Sequence, residues 1–232
     1  MTIGTHTVSL VMPCRNEAAH LVALIRTVPD FYDEIICVSN GSTDRTFETG
    51  RALEQEVPRL RMLRDDRVID GIGYGFAHMT GIGEAQGDII VCADSDGTYP
   101  IEDAPGIVRF MDDEDVTFVS ACRYPDPSIP LMLRLGVTAL NIEIRLLYGY
   151  PIHDSLSGMW VFRKAIVPEL VLTEGDWNLS PQIKLNAIAS QGRRFREVKI
   201  EQRVRHGETK QDYLKTGLRH MWWIARNRFR RH

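Results

Sequence analysis

Asp88-Ile89-Ile90-Val91-Cys92-Ala93-Asp94-Ser95-Asp96-Gly97-Thr98-Tyr99-Pro100 is the stretch on which the fold turns. Its apolar run, residues 89–93, is far too short to span a bilayer and reads as a strand buried on both faces, the signature of a parallel sheet. Asp94 and Asp96 follow directly. Carboxylates two residues apart project the same way, and their repulsion is costly unless a cation sits between them. Hard carboxylate oxygens suit Mg²⁺ or Mn²⁺, which in turn bind a diphosphate. Ligands of open parallel sheets bind at the carboxyl ends of the strands, where this pair falls.

Outward from that stretch, short apolar runs alternate with helical patterns. Strands are expected over residues 8–12, 34–39, 60–63, 88–92 and 116–121. Helices are expected after Asn16-Glu17, over 43–56, from the glycine-rich turn 71–75 to near Gly87, and over 100–111 with Pro100 in the first turn. Single helices between apolar strands predict an α/β chain with a mostly parallel sheet covered on both faces. After Tyr124 the rhythm changes. A linker (125–130) precedes a long helical segment (131–148), a strand at 159–162, a helix at 180–190, a strand near 196–204 and an amphipathic helix over about 212–231. One domain is expected across 1–232, with a nucleotide-binding half (1–124), an acceptor-side half (125–211) and a basic C-terminal helix (212–232).

Composition bounds the function. With 232 residues, 44% hydrophobic and 25% charged, the chain is neither disordered, collagen-like nor a disulfide mini-protein. Residues 1–7 lack the basic region and apolar core of a secretory leader. Four widely spaced cysteines, with no C-x-x-C pair, read as small buried apolar groups. A cytoplasmic protein without a spanning helix is the expectation. The net charge of −3 hides an asymmetry: residues 192–232 hold 13 Lys/Arg against 4 Asp/Glu, and the remainder 15 against 27. An anionic partner of the C-terminus is one reading and a solvated helix face the other. Nucleic acid is disfavoured by the acidic body and the lack of a recognition motif.

Polar clusters stand at the ends of four predicted strands: Pro13-Cys14-Arg15-Asn16-Glu17, Ser39-Asn40-Gly41-Ser42-Thr43-Asp44, Asp94-Ser95-Asp96-Gly97 and Arg123. Four such clusters at one edge make a site. Gly71-Ile72-Gly73-Tyr74-Gly75 is no dinucleotide fingerprint, because it does not follow the first strand and Phe76 stands where the third glycine belongs. Close backbone approach at Gly75, to a nucleotide or to another loop, is the modest inference.

Pro13-x-x-Asn16-Glu17, Asn40-Gly41-Ser42-Thr43-Asp44, the Gly75–Asp88 pattern of small residues and Asp94-Ser95-Asp96-Gly97-Thr98-Tyr99-Pro100 together resemble the family 2 glycosyltransferases of GT-A fold. Asp154-Ser155-Leu156-Ser157-Gly158, Arg163, Glu197-Val198-x-Ile200 and Arg205-His206-Gly207-Glu208-Thr209-Lys210 resemble the dolichol-phosphate mannosyltransferase and polyprenyl-phosphate glucosyltransferase branch. The resemblance implies inverting transfer of a hexose from UDP-glucose or GDP-mannose to a polyprenyl (dolichyl-type) phosphate. It places Pro13, Arg15, Asn16, Glu17, Ser39, Asn40, Gly41, Gly75, Asp94 and Ser95 around the donor, with Asn40 near the base. Asp94 contacts the ribose or the metal, and Asp96 holds the metal on the diphosphate. Two departures stand out. Ser39 replaces a usual aspartate, and Gly97-Thr98 replaces a glutamine that often ligates the metal, so water or another residue such as Glu17 completes the shell.

A lipid phosphate needs cations rather than a base, and Arg123, Arg205 and Lys210 supply them. A sugar hydroxyl needs a carboxylate base, for which Asp154 is the candidate; with a phosphate acceptor Asp154 orients instead. His153 and His206 are more often hydrogen-bonded structural residues than ligands. Rivals are transfer to a soluble hydroxyl acceptor, a nucleotidyltransferase (disfavoured by the missing Gly- and Arg/Lys-rich loop after the first strand) and a non-catalytic nucleotide-sugar-binding protein. On the last helix, Leu214, Leu218, Met221, Trp222, Ala225 and Phe229 form an apolar stripe beside Lys215, Arg219, Arg226 and Arg230. That stripe either lies on an anionic membrane surface or packs on the sheet. The partners expected are a nucleotide sugar, a phosphate or glycan acceptor and peripheral contact with the cytoplasmic membrane face; the sequence also admits a homo-oligomer.

Overall fold

The computed structural model describes residues 5–124, 131–203 and 213–230. Seven strands form one sheet: β1 (Val8–Cys14), β2 (Glu34–Ser39), β3 (Leu60–Arg64), β4 (Ile89–Cys92), β5 (Phe118–Cys122), β6 (Trp160–Arg163) and β7 (Phe195–Lys199). Their spatial order is β3-β2-β1-β4-β6-β5-β7. β1 lies parallel to β2 and β4, β2 to β3, and β5 to β7, whereas β6 runs antiparallel to β4 and β5. Six strands therefore end at one edge. Reversal of β6 delivers the loop before it, residues 153–159, to that same edge.

Alternate strand residues enter two cores. Leu10, Met12, Ile35, Cys37, Ile89 and Val91 face α1 (Leu21–Thr27), α2 (Thr46–Leu53) and α4 (Ala104–Asp113). Val11, Ile36, Val38, Ile90, Phe118, Trp160 and Phe162 face α3 (Tyr74–Glu84), α6 (Val167–Leu170) and α7 (Leu179–Gln191). Each fully buried side chain of this size contributes about 1.5–3 kcal/mol, so the two layers fix the strand register. All four cysteines are buried and free, as read from their spacing. A third layer, α5 (Leu131–Tyr148) and α8 (Tyr213–Arg230), packs on α7 through Leu140, Ile144, Leu185, Trp223 and Ile224.

Some element starts differ from expectation for local reasons. Asn16 does not cap the first helix: it adopts φ +54° and its side-chain oxygen accepts Thr43 N–H at 2.8 Å, so α1 begins only at Leu21. Pro100 precedes a short 3₁₀ turn (Ile101–Asp103), and it is Pro105 that occupies the first turn of α4. The last strand stops at Lys199 rather than near 204. The apolar stripe of α8 does not pack on the sheet. Leu218, Met221, Trp222 and Phe229 are exposed, while His220, Trp223 and Ile224 face inward.

Burial holds two histidines neutral, His78 with a pKa of about 3 and His220 with one of about 4, His220 further lowered by Arg219. Both values lie below that of the unfolded chain, so the unfolded state takes up protons first as pH falls. Between pH 6.5 and about 4 each histidine should lower stability by up to about 1.4 kcal/mol per pH unit. His78 packs its ring on Tyr74 and Trp160. His78→Phe is therefore expected to flatten the acid limb of a stability-versus-pH curve; an unchanged slope would count against a neutral buried His78.

Candidate active site

The residues expected around the donor stand where β1, β2 and β4 end. Asn40 N–H donates to Cys14 C=O at 3.0 Å, and Ser95 Oγ donates to Pro13 C=O at 2.8 Å, lacing the three strand ends together. Asn16 N–H donates to Ser42 Oγ at 3.2 Å, and Ser39 Oγ donates to Ser42 Oγ at 3.0 Å. Arg15 reaches across to Gly71 C=O, and Glu17 N–H donates to Thr46 Oγ1 at 2.8 Å. Pro13, Arg15, Asn16, Glu17, Ser39, Asn40, Gly41, Asp94 and Ser95 thus come together at one edge, with Gly41 at φ +55° shaping the turn.

Two of them carry structural duties that the sequence hides. The Asn40 amide is buried and donates to the carbonyls of Asp65 and Arg67. It holds the loop after β3 with the group expected to meet the base. Gly75 is bare because the backbone of Glu174 to Asp176 crosses it: a Cβ there would lie 2.0 Å from Glu174 C=O. Another loop makes that close approach.

Asp94 and Asp96 stand at the tip of β4. Asp96 Oδ1 accepts Thr98 N–H at 3.1 Å and Thr98 Oγ1–H at 2.7 Å, a tight turn closed by Gly97 at φ +74°. The Asp94 carboxylate lies against Gly158 and within hydrogen-bonding range of the Tyr74 hydroxyl, whose pKa is raised by burial and by the Asp94 charge. Tyr99, the next side chain of this loop, accepts Gly158 N–H at 2.7 Å. Among the described residues, no third acid, histidine or cysteine joins the pair, so Glu17 is not part of a three-ligand cluster.

The residues expected on the acceptor side form a buried charge network. Arg123, just past β5, grips Asp154 with Nε at 2.8 Å and Nη2 at 3.0 Å, and its backbone N–H adds a third bond at 3.0 Å. Asp154 is fully buried. Burial works to raise its pKa, but the Arg123 charge and hydrogen bonds, with Lys184, more than offset this and hold it below the usual carboxylate range. Lys184 of α7 donates to the carbonyls of Asp154 and Ser157 at 2.7 and 2.8 Å, and burial lowers its pKa to about 8. His153 is a hydrogen-bonded neighbour: its Nδ1 lies 2.8 Å from Glu197, which also accepts the backbone N–H of Asp154 at 3.0 Å. Arg205, His206 and Lys210 lie outside the described residues. The chain leading to them is tied to the Asp96 turn, where Arg203 N–H donates to Thr98 C=O at 2.9 Å.

A sheet edge with two carboxylates at the tip of β4 and a clamped arginine past β5 accords with a sequence match. The family model described as glycosyl transferase family 2 covers residues 9–171. The chain belongs to glycosyl transferase family 2. Among curated relatives of this family 2 chain, a low-salt glycan biosynthesis hexosyltransferase of Haloferax volcanii is 26% identical over 95% of the chain. The chain spans about half of that relative's length (54%). A dolichyl-phosphate hexose transferase of the same organism is 29% identical over 88% of the chain and 86% of its own length. In solved structures, glucosyl-3-phosphoglycerate synthase of Mycobacterium tuberculosis matches with a TM-score of 0.75 at 20% identity, covering 98% of this chain and 84% of that one. The same synthase has been solved with Mn²⁺, UDP-glucose and phosphoglyceric acid. The likeness shows the fold, and the GT-A fold implied by the sequence resemblance is the one present.

Several charged and polar contacts of this family 2 chain near the same sheet edge escaped sequence reasoning. At the end of β3, Asp65 is held by a bidentate Arg67 contact and by Thr80, its pKa lowered to about 2 chiefly by Arg67. Arg67 also stacks 4.7 Å over the Phe76 ring. Arg219 of α8 binds Asp70 at 2.6 Å and Asp176 at 3.2 Å, while His220 Nδ1 meets Asn178 Oδ1 at 2.8 Å. Lys184, charged amid apolar Ile183 and Leu185 on a helix buried over residues 179–187, was the one legible signal. Gly158→Ala tests the crevice wall: its Cβ would stand 2.6 Å from the Tyr74 hydroxyl and 3.1 Å from Asp94 Oδ1. The buried Tyr74 hydroxyl would have to move and Asp94 to give by a few tenths of an ångström, so turnover should fall about tenfold and the melting temperature by a few degrees. Wild-type turnover in Gly158→Ala would remove Asp94 from the reaction centre.

Proposed function

We propose that the chain transfers a hexose, with inversion, from UDP-glucose or GDP-mannose to the phosphate of a polyprenyl (dolichyl-type) lipid at the cytoplasmic membrane face. The observation that carries the acceptor class is the state of Asp154. Its carboxylate is fully buried and spent on Arg123, its pKa depressed, so it is a weak base for a sugar hydroxyl. A lipid phosphate is already an anion and needs no base. Asp154 then orients Arg123, whose guanidinium, with Arg205 and Lys210, positions the phosphate. The named activity of the dolichyl-phosphate hexose transferase relative supports the same class.

On the donor side, Pro13, Arg15, Asn16, Glu17, Ser39, Asn40 and Gly41 frame the nucleoside end of the crevice, with Ser95 holding β4 to β1. Asp94 and Asp96, two carboxylates on the loop at the tip of β4, would hold a divalent cation, Mg²⁺ or Mn²⁺, of the kind bound by one or two carboxylates and completed by substrate phosphates and water. Such an ion supplies Lewis-acid stabilisation of the departing nucleoside diphosphate. In the transfer, an acceptor phosphate oxygen forms the new bond to the anomeric carbon as the bond from that carbon to the donor's β-phosphate oxygen breaks. Thr98 and Gly97 hold Asp96 in place, and Tyr74 and Gly158 hold Asp94.

The test is incubation with labelled UDP-glucose or GDP-mannose, Mn²⁺ or Mg²⁺, and polyprenyl phosphate in detergent, with 3-phosphoglycerate in a parallel reaction. Label in an organic-extractable glycolipid is the expected result. Label confined to a water-soluble product would overturn the lipid acceptor, and binding of either donor without any transfer or hydrolysis would overturn the enzyme.

A further inference from the structure

Of the twelve large hydrophobic residues that stand exposed among the described residues, most lie on the helical pair α5–α8. Nine large hydrophobic side chains stand exposed on it: Leu131, Met132, Leu135, Ile142 and Leu146 on α5, and Leu218, Met221, Trp222 and Phe229 on α8. Met132 is 78% exposed, Leu146 79%, Trp222 59% and Phe229 72%. Their outward placement is enforced, because the opposite sides of both helices are already committed. Trp223 and Ile224 pack with Leu140 and Ile144, Tyr148 Oη donates to Ile224 C=O at 2.9 Å, and Arg228 Nε donates to Leu147 C=O at 2.9 Å. Apolar patches of this kind mark interaction sites.

Charge identifies the partner. Residues 213–230 contain Lys215, Arg219, Arg226, Arg228 and Arg230 and no acid. On a helical projection the exposed apolar row of α8 is centred opposite its buried face, with Lys215 and Arg226 along one flank and Arg228 along the other. The Arg226 guanidinium covers the exposed Trp222 ring at 4.6 Å, keeping a cation at the edge of the apolar row. On α5, Arg134 and Arg145 line a groove of about 550 Å³ whose apolar rim, Leu131, Leu135 and Ile142, belongs to the exposed row. An apolar row bordered by cations, with an indole among them, matches the interface of an anionic bilayer: hydrocarbon below, phosphate headgroups beside.

We infer that the exposed α5–α8 face docks the protein on an anionic lipid bilayer. The proposal does not rest on the transferase reading. It has a consequence for the site, however: Arg219 and His220, on the same helix, hold Asp176 and Asn178 of the loop beside the Tyr74 wall. Docking of α8 therefore sets the crevice at the membrane surface.

The full chain should co-sediment with phosphatidylcholine vesicles containing phosphatidylglycerol, and about tenfold less with pure phosphatidylcholine vesicles. Trp222 fluorescence should shift to the blue on binding, and the shift should vanish in Trp222→Phe. Leu218→Glu with Phe229→Glu, both exposed and checked for an unchanged melting temperature, should abolish co-sedimentation. Lys215→Glu and Arg226→Glu should each weaken it about fivefold or more. Absence of binding by the folded wild type, or binding insensitive to these substitutions, would overturn the proposal. So would a dimer in light scattering that Leu218→Glu dissociates, because a second copy would then cover the face.

Discussion

Asp96→Asn is expected to lower hexose transfer at least about a thousandfold, roughly 4 kcal/mol of transition-state stabilisation, while leaving the fold intact. The substitution isolates charge. Asp96 Oδ1 accepts two hydrogen bonds from Thr98, and an asparagine oxygen can accept both, so the turn at the tip of β4 keeps its shape. What disappears is half of the negative charge on which the proposed cation site depends. Melting should shift by no more than a few degrees, and steady-state kinetics should show the loss in kcat. Full activity in this variant would remove Asp96 from the metal role and leave the crevice without an electrophile for the leaving diphosphate.

Asp154→Asn should act differently, striking stability and catalysis together. Arg123 is a largely buried cation whose carboxylate partner is fully buried, and breaking such a pair costs about 3–5 kcal/mol because the remaining charge stays desolvated. For a chain of this size that corresponds to a fall of roughly 10 °C in melting temperature, read by thermal denaturation. With the arginine no longer braced, the acceptor KM should rise while donor affinity stays near wild type. A role as base predicts another pattern: kcat falls, acceptor KM holds, and the acid limb of the pH–rate profile disappears. The two readouts separate an orienting carboxylate from a basic one.

How much of this was legible in the sequence depends on which interaction decides each feature. The strands β1, β2 and β4 and the helix α5 are written in local periodicity, and α5 occupies the very residues that the pattern marks, Leu131–Tyr148. The place of Asp94 and Asp96 at the tip of β4 is legible because the apolar run 89–93 ends directly before them, whereas their side-chain directions are set by the turn that follows the strand. The reversed β6 is not, since an apolar run has the same pattern in either direction and only the sheet decides its pairing. Nor is the orientation of α8. His220, Trp223, Ile224 and Asn227 repeat at helical spacing just as the Leu218–Phe229 row does, and the inward choice is made by partners distant in sequence, Asn178 and Tyr148. Asn40 and Gly75 carry their motif identities, yet their contacts with the 65–67 and 174–176 loops could not be read from spacing. Long-range hydrogen bonds wrote those parts of the site.

Titration calorimetry with UDP and GDP, in the presence of Mn²⁺ or of a chelator, asks most directly whether Asp94 and Asp96 grip a pyrophosphate through a cation. At least one of the two nucleotides should bind the wild-type chain with Mn²⁺, at least about tenfold more weakly once the metal is chelated, and Asp96→Asn should bind it no better with the metal than without. Nucleotide binding that is equally tight in chelator, or equally metal-dependent in Asp96→Asn, would contradict the account.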